Sequence, residues 1–195
     1  SRQGEPMPIE MTSSMIFVLL GIAQRQGVAA SGWFFPKYWP LVMRWADAMV
    51  KTLPFPANQL SSDDYMGITP NNTLLAMKGI IAIEATGELC RVLHADASFG
   101  TNCSRYSQTA TAYAKVFQQY AYESTPVPHY RLSYNVVKGV NDSWSLKHDL
   151  VWQRLLKLDG PFPYDQIAKT EVSYYKLRSN LFGPPMDPRH TYVWT

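Results

Sequence analysis

The chain is 195 residues long, 46% hydrophobic, 13% aromatic and 17% charged, a length that fits one domain. An average soluble domain carries roughly 25% charged residues, and the net charge of +3 is too mild and scattered for a phosphate-binding face, which excludes nucleic acid as a partner. The longest apolar run, Met15 to Ala23, is nine residues, far short of the roughly 20 that cross a bilayer, and with no low-complexity tract neither a membrane span nor disorder is expected.

Residues 12–25 are apolar almost all round (Met15, Ile16, Phe17, Val18, Leu19, Leu20, Ile22, Ala23), the pattern of a helix buried on every side. The next helix carries Tyr38, Leu41, Val42, Trp45, Ala46 and Met49 at helical spacing and Lys37, Arg44, Asp47 and Lys51 opposite them, so it has one wet face. A 20-residue polar loop, 53–72, leads to a second mostly apolar helix over 73–93, with Asn71 and Asn72 as candidate caps. Residues 104–123 again show a stripe, Tyr106, Ala110, Tyr113, Ala114, Phe117, Tyr120 and Ala121. Between 126 and 137 the period drops to two, with Tyr130, Leu132, Tyr134 and Val136 alternating with His129, Arg131, Ser133 and Asn135, which predicts a short strand or extended segment. Asn141-Asp142-Ser143 supplies N-cap candidates for a helix over 144–158, Gly160-Pro161 ends it, and a last helix covers 164–179 before Gly183-Pro184-Pro185.

Buried helices alternating with half-buried ones, joined as hairpins, predict an all-α fold of two concentric layers, an α/α toroid. Three hairpins make an incomplete ring whose inner helices would present an apolar face, which monomers rarely tolerate. The chain therefore reads as a single partial domain over 1–195, and its shortage of charge as surface built to lie against other parts of a parent protein.

Two cysteines, Cys90 and Cys103, fit neither a zinc site nor a CxxC pair, and can pair across the 12-residue loop between them in an oxidising compartment. Three N-x-S/T sequons, at Asn71, Asn102 and Asn141, exceed the one or so expected by chance, and point to a secreted, extracellular glycoprotein. Nothing in the sequence calls for a metal or another cofactor; Asp63-Asp64 lacks an EF-hand-like ligand series.

In an up-and-down ring every inner helix starts at one end, so the segments leading into those helices converge there. They contain Glu10, Gln59, Asp63, Asp64, Tyr65, His129, Arg131, Trp144, Lys147, Arg189, His190 and Tyr192. Paired carboxylates, a guanidinium, an imidazole and aromatic walls at one place make a functional site, and helix N-termini aimed at it favour an anionic group. Each residue also has a structural role open to it: Asp63-Asp64 as a turn and capping pair, Glu10 as a first-turn acid, Arg189 and His190 in a salt bridge. GxSxG, HExxH, P-loop and GxGxxG motifs are absent, and Ser173-Tyr174-Tyr175-Lys176 matches SxxK without its partner motifs.

The run from Pro56 to Gly67, the segment His129-Tyr130-Arg131-Leu132 leading into Trp144-Ser145 and Leu150-Val151-Trp152, and Asp187-Pro188-Arg189-His190-Thr191-Tyr192 resemble the fungal glutaminase A family, as does Met7-Pro8-Ile9-Glu10 with Met15. The matches keep their order from Met7 to Tyr192. The sequence departs from the family pattern at Met11-Thr12-Ser13-Ser14 and at Val193-Trp194. The resemblance implies a fold similar to the α/α six-hairpin glycosidases and a secreted enzyme that converts L-glutamine to L-glutamate and ammonia. It also implies that the chain is the central fragment of a catalytic domain, with further hairpins on both sides and a preceding β-rich domain in the same protein.

The residues then suggest amide hydrolysis by a carboxylate pair, with Asp63 or Asp64 as general base on water and Glu10 protonating the leaving ammonia. Arg189 would take the substrate carboxylate bidentately, with His190, Tyr192, Gln59, Tyr65, Trp144 and Lys147 lining the substrate site. Two alternatives stand beside this reading: a glycosidase-like hydrolase using two acids on a sugar, and a non-catalytic fragment serving as a binding or assembly module.

Overall fold

A computed structural model describes residues 6–31, 35–63, 66–135 and 143–188. At its centre lies α3 (Thr73–Val92), in which every residue from Thr73 to Gly87 is buried. Asn72 starts this helix: its backbone is extended and its side-chain oxygen accepts the Leu75 N–H at 2.9 Å. Two glycines let neighbours approach. A Cβ on Gly79 would meet Leu53 Cδ1 at 2.6 Å and Ile9 Cγ2 at 3.0 Å, and one on Gly87 would meet Ser107 Oγ at 2.9 Å.

α1 (Pro8–Ser31) and α5 (Cys103–Ala121) pack on α3, and α2 (Phe35–Thr52) joins them. α2 turns Val42, Ala46 and Met49 of its stripe inward, with Trp39 beside them, and keeps Lys37, Arg44 and Lys51 exposed, while Leu41, which the stripe places inward, is exposed. α5 buries Tyr106, Ala110, Ala114, Phe117 and Ala121, and Asn102 caps it through the Arg105 N–H at 3.3 Å. Cys90 of α3 and Cys103 at the head of α5 form a disulfide with Cα atoms 5.5 Å apart, and the short α4 (Ala95–Phe99), which the sequence pattern does not announce, lies in the loop it closes.

α1 departs from expectation. Ile9, Ile16, Phe17, Leu20 and Ala23 are buried, but Met11, Met15, Val18 and Ile22 are 65%, 48%, 57% and 42% exposed. That spacing is one continuous stripe along the helix. Apolar composition all round shows what a helix tolerates, whereas burial needs a neighbour, and no described element covers this side.

The extended segment is shorter than the alternation suggests. β1 (Tyr122–Glu123) pairs antiparallel with β2 (His129–Tyr130), Tyr122 opposite Tyr130. The backbone then runs past the head of α3, where the Thr73 N–H donates to Leu132 O and the Tyr134 N–H to Asn71 O. His129 and Ser133 are buried as well as Tyr130, Leu132 and Tyr134, so of the expected polar face only Arg131, half-buried, and Asn135, exposed, meet water. The predicted Val136 end and the Asn141 cap lie outside the described residues.

The helix expected from Trp144 begins late. Residues 144–147 are not helical: the Leu146 N–H donates to Met186 O at 3.0 Å and the Lys147 N–H to the Tyr175 hydroxyl at 2.8 Å, instead of to carbonyls one turn back. A 3₁₀ turn, His148–Leu150, then leads into α6 (Val151–Leu155), whose Trp152 stacks on Phe17 of α1 at 4.9 Å. α7 (Tyr164–Arg178) follows close to its predicted bounds. Among the described residues no helix is long and apolar enough to cross a membrane.

Candidate functional site

The loop 53–63 is largely buried and pins the start of α1. Gln59 accepts the Ile9 N–H at 2.9 Å, and the Leu60 N–H donates to Pro6 O at 3.1 Å. This fixes Glu10 in the first turn of α1, where one carboxylate oxygen accepts from Lys78 Nζ of α3. On its other side Lys78 Nζ faces Asp149 Oδ1 at 3.6 Å. Asp149 Oδ2 accepts the Ser62 hydroxyl at 3.1 Å, and the same Ser62 Oγ lies 3.0 Å from His148 Nε2. Glu10, Lys78 and Asp149 are buried, whereas the His148 side chain is 44% exposed and marks the rim.

The second carboxylate oxygen of Glu10 is shielded from solvent and accepts no hydrogen bond. Burial raises the Glu10 pKa above the ordinary carboxylate range; Lys78 pulls it down, the Asp149 charge pushes it up and the Ser62 backbone pulls it down. Burial thus favours the neutral form of Glu10 more than water does for an exposed carboxyl.

A second buried cluster adjoins the first. Lys147 Nζ donates to Ser145 O at 2.8 Å, to Ser145 Oγ at 3.0 Å and to Tyr130 O at 3.4 Å. Burial pushes its pKa down to about 8 against the opposing charges of Glu171 and Asp63. Glu171, projecting from α7, accepts the Tyr130 N–H at 2.8 Å on one oxygen and the Tyr175 hydroxyl on the other. Burial, and then the Glu171 charge, raise Tyr175 well above its usual range. A cleft of about 220 Å³ opens beside this cluster, lined by Lys147, His148, Glu171 and Tyr175 among others. A larger concavity of about 460 Å³ lies on α5 around Ser107, Thr111 and Lys115, away from either cluster.

Glu10, Asp63, Asp149, Glu171 and Asp187 are thus buried with two lysines, Lys78 and Lys147. An ionised side chain removed from water costs several kcal/mol unless it is compensated. A concentration of this kind makes a candidate functional site.

The sequence pattern of the glutaminase A six helical-hairpin domain matches residues 1–195. The chain belongs to this family. It is 30% identical over 192 residues to glutaminase A of Aspergillus oryzae, covering 97% of this chain and 26% of that protein. It is 25% identical over 183 residues to a probable glutaminase of Arthroderma benhamiae, covering 80% of this chain and 20% of that one. The chain therefore spans about a quarter or less of the length of the curated relatives it matches.

Within this glutaminase A domain the structure brings several of the expected residues together. Glu10 and Gln59 meet at the head of α1, and Asp63 lies 1% exposed within the electrostatic reach of Lys147. Trp144 is buried edge-on against Tyr174 at 5.8 Å, so it forms wall rather than an open stacking platform. Asp64, Tyr65, Arg189, His190, Tyr192 and the Asn141 sequon lie outside the described residues. Of the other sequons, Asn102 is exposed, while Asn71 is half-buried and bonded to Asn135 at 3.0 Å, with the Thr73 of its sequon buried.

Sequence reasoning missed Lys78, Asp149, Ser62, His148 and Glu171. One signal was present. Lys78 and Glu84 are charges inside a helix apolar on every side, and such charges require buried partners. Glu84 finds the Ser107 hydroxyl at 2.9 Å, and Lys78 finds the site.

Proposed function

We propose that this chain supplies acid–base machinery to a glutaminase-like hydrolase that converts L-glutamine to L-glutamate and ammonia. The observation that carries the reading is Glu10, a buried carboxyl with its pKa raised, one oxygen unbonded and a lysine shared with a second carboxylate. In its protonated form Glu10 delivers a proton to the departing ammonia, while a second carboxylate of the cluster takes one from the attacking water. The carbon–oxygen bond forms as the carbon–nitrogen bond breaks, and the two transfers balance to one carboxylic acid and one ammonia per water consumed. Arg189 remains the candidate to hold the substrate carboxylate. The names of the relatives, glutaminase A and a probable glutaminase, support this substrate class.

We further infer that the chain works as part of a larger protein. The stripe Met11, Met15, Val18 and Ile22, with Val151 and Leu155 exposed on α6, is suited to bury against further hairpins of the same ring. Secretion fits the Cys90–Cys103 disulfide and the exposed sequon at Asn102. The test is ammonia release from L-glutamine by the full-length protein that contains this chain, assayed beside reducing-sugar release from oligosaccharides. Ammonia without sugar supports the proposal. Sugar without ammonia would replace it with the glycosidase-like alternative, and neither product would favour a binding or assembly module.

A further inference from the structure

The identity of the base is open in the reading above, because sequence alone assigned it to Asp63 or Asp64. We propose instead that Asp149 is the general base, aimed by Lys78 and Ser62 at the water that attacks the carboxamide. This rests on the proposed hydrolase function and concerns the same site.

Three features of the geometry support it. Asp149 shares Lys78 with Glu10, so one ammonium joins the two carboxyls across α1, α3 and the 3₁₀ turn. With Glu10 protonated, Lys78 and Asp149 form a neutral pair, which a buried site favours over two carboxylates on one lysine. Second, Asp149 Oδ2 accepts the Ser62 hydroxyl, and Ser62 also reaches the half-exposed His148, which connects the base to solvent. Third, Asp149 is the carboxylate whose charge bears on Glu10, whereas Asp63 bears on Lys147. The Asp149 charge raises the Glu10 pKa, which favours Glu10 as the acid of the two.

The step is balanced within the site. Asp149 takes a proton from water as the oxygen bonds to the carboxamide carbon, and Glu10 gives one to nitrogen as the carbon–nitrogen bond breaks. Asp149 is then protonated and Glu10 ionised. A proton passing from Asp149 to Glu10, or exchanged with solvent by way of Ser62 and His148, restores the starting state.

The test uses the full-length protein and L-glutamine. Asp149→Asn is expected to lower kcat about 100-fold or more, in the range for loss of a general base, with KM changed less than threefold. That loss should exceed the loss from Asp63→Asn at least tenfold; the reverse order would overturn the assignment. Should Asp149→Asn fail to fold, Ser62→Ala decides. Losing the hydroxyl donor makes the Asp149 anion harder to form, so the acidic limb of the pH–rate profile moves to higher pH, with Glu10 and Lys78 unchanged beside it. An unmoved acidic limb overturns the assignment. The two ideas fail separately: wild-type protein that releases no ammonia removes the carboxamide reading, whereas active wild type with active Asp149→Asn removes Asp149 alone.

Discussion

Two buried charge clusters lie side by side, and they differ in how completely their hydrogen bonds are made. Around Lys147, the ammonium donates to Ser145 twice and to Tyr130, and both oxygens of Glu171 accept. Around Lys78, Glu10 keeps an oxygen that is buried and unbonded, and Asp149 is joined through Ser62 to a residue at the rim. The bonds between Lys147, Glu171 and Tyr175 fix the chain's path, tying α7, β2 and residues 144–147 together. An incompletely satisfied network costs stability, and it persists where the open valence is used. On the proposed function, the first cluster is structural and the second catalytic.

The largest expected effect tests the Lys78 side. Glu10→Gln in the full-length protein should lower kcat by about 10²- to 10⁴-fold, the usual contribution of a general acid. Its urea midpoint should not fall, because a neutral amide relieves the burial of the acid. Next, Glu171→Ala should cost about 3–5 kcal/mol of unfolding free energy, the scale for breaking a buried charged network from one side. It would leave the Tyr130 N–H without its acceptor and the Tyr175 hydroxyl with only Ser145 O at 3.4 Å, and remove a negative charge that faces Lys147. If Glu10→Gln were the variant that unfolds and Glu171→Ala the one that loses turnover while folded, the two assignments would exchange.

The contrast between the clusters also explains what the sequence could reveal. α3 and α7 were legible because a helix patterned by its own residues needs no distant partner to be recognised: Asn72 caps the first, and Gly160-Pro161 precedes the second. Residues 144–147 were misread as helix because their backbone groups are claimed by Met186 and Tyr175, some 30 to 40 positions away. Glu10 and Gln59 were singled out from their position at a helix entry, and the structure places both at the head of α1, where Gln59 holds the Ile9 N–H. Asp149 and Glu171 belong to no local motif, and only the packing of α1, α3 and α7 reveals their partners. α1 shows the reverse limit, since Met15 and Val18 look like core in sequence and lie exposed in this chain.

A smaller effect probes the packing beneath Glu10. Gly79 sits one residue beyond Lys78, and a Cβ there would enter Leu53 and press on Ile9. Gly79→Ala should therefore cost about 1–3 kcal/mol, as overpacking generally does. Because Ile9 precedes Glu10, the displaced turn should also lower turnover more than the stability loss alone predicts. Gly87→Ala, crowded against Ser107 and far from the cluster, is the control that should lower stability with kcat retained.

The smallest effect is also the one that separates the clusters by sign. Glu10 has a raised pKa, so between the usual carboxylate value and its own the folded state holds more protons than the unfolded state, and its contribution to stability falls as pH rises. Lys147 is lowered to about 8 from an ordinary 10.5, so across that window the unfolded state holds more protons and the contribution rises with pH. Relative to Lys147→Met, the wild-type protein should gain about 1 kcal/mol between pH 8 and pH 9 in urea unfolding. Relative to Glu10→Gln, it should lose stability as pH rises above 4.5. Both slopes arise from burial of a charge, but on the alkaline side the satisfied cluster releases its proton and with it the penalty, whereas the Glu10 penalty grows as the acid ionises. A wild-type protein whose stability runs parallel to that of Lys147→Met across pH 8 to 9 would mean that solvent reaches the ammonium, and the structural role of the Lys147 cluster would have to be abandoned.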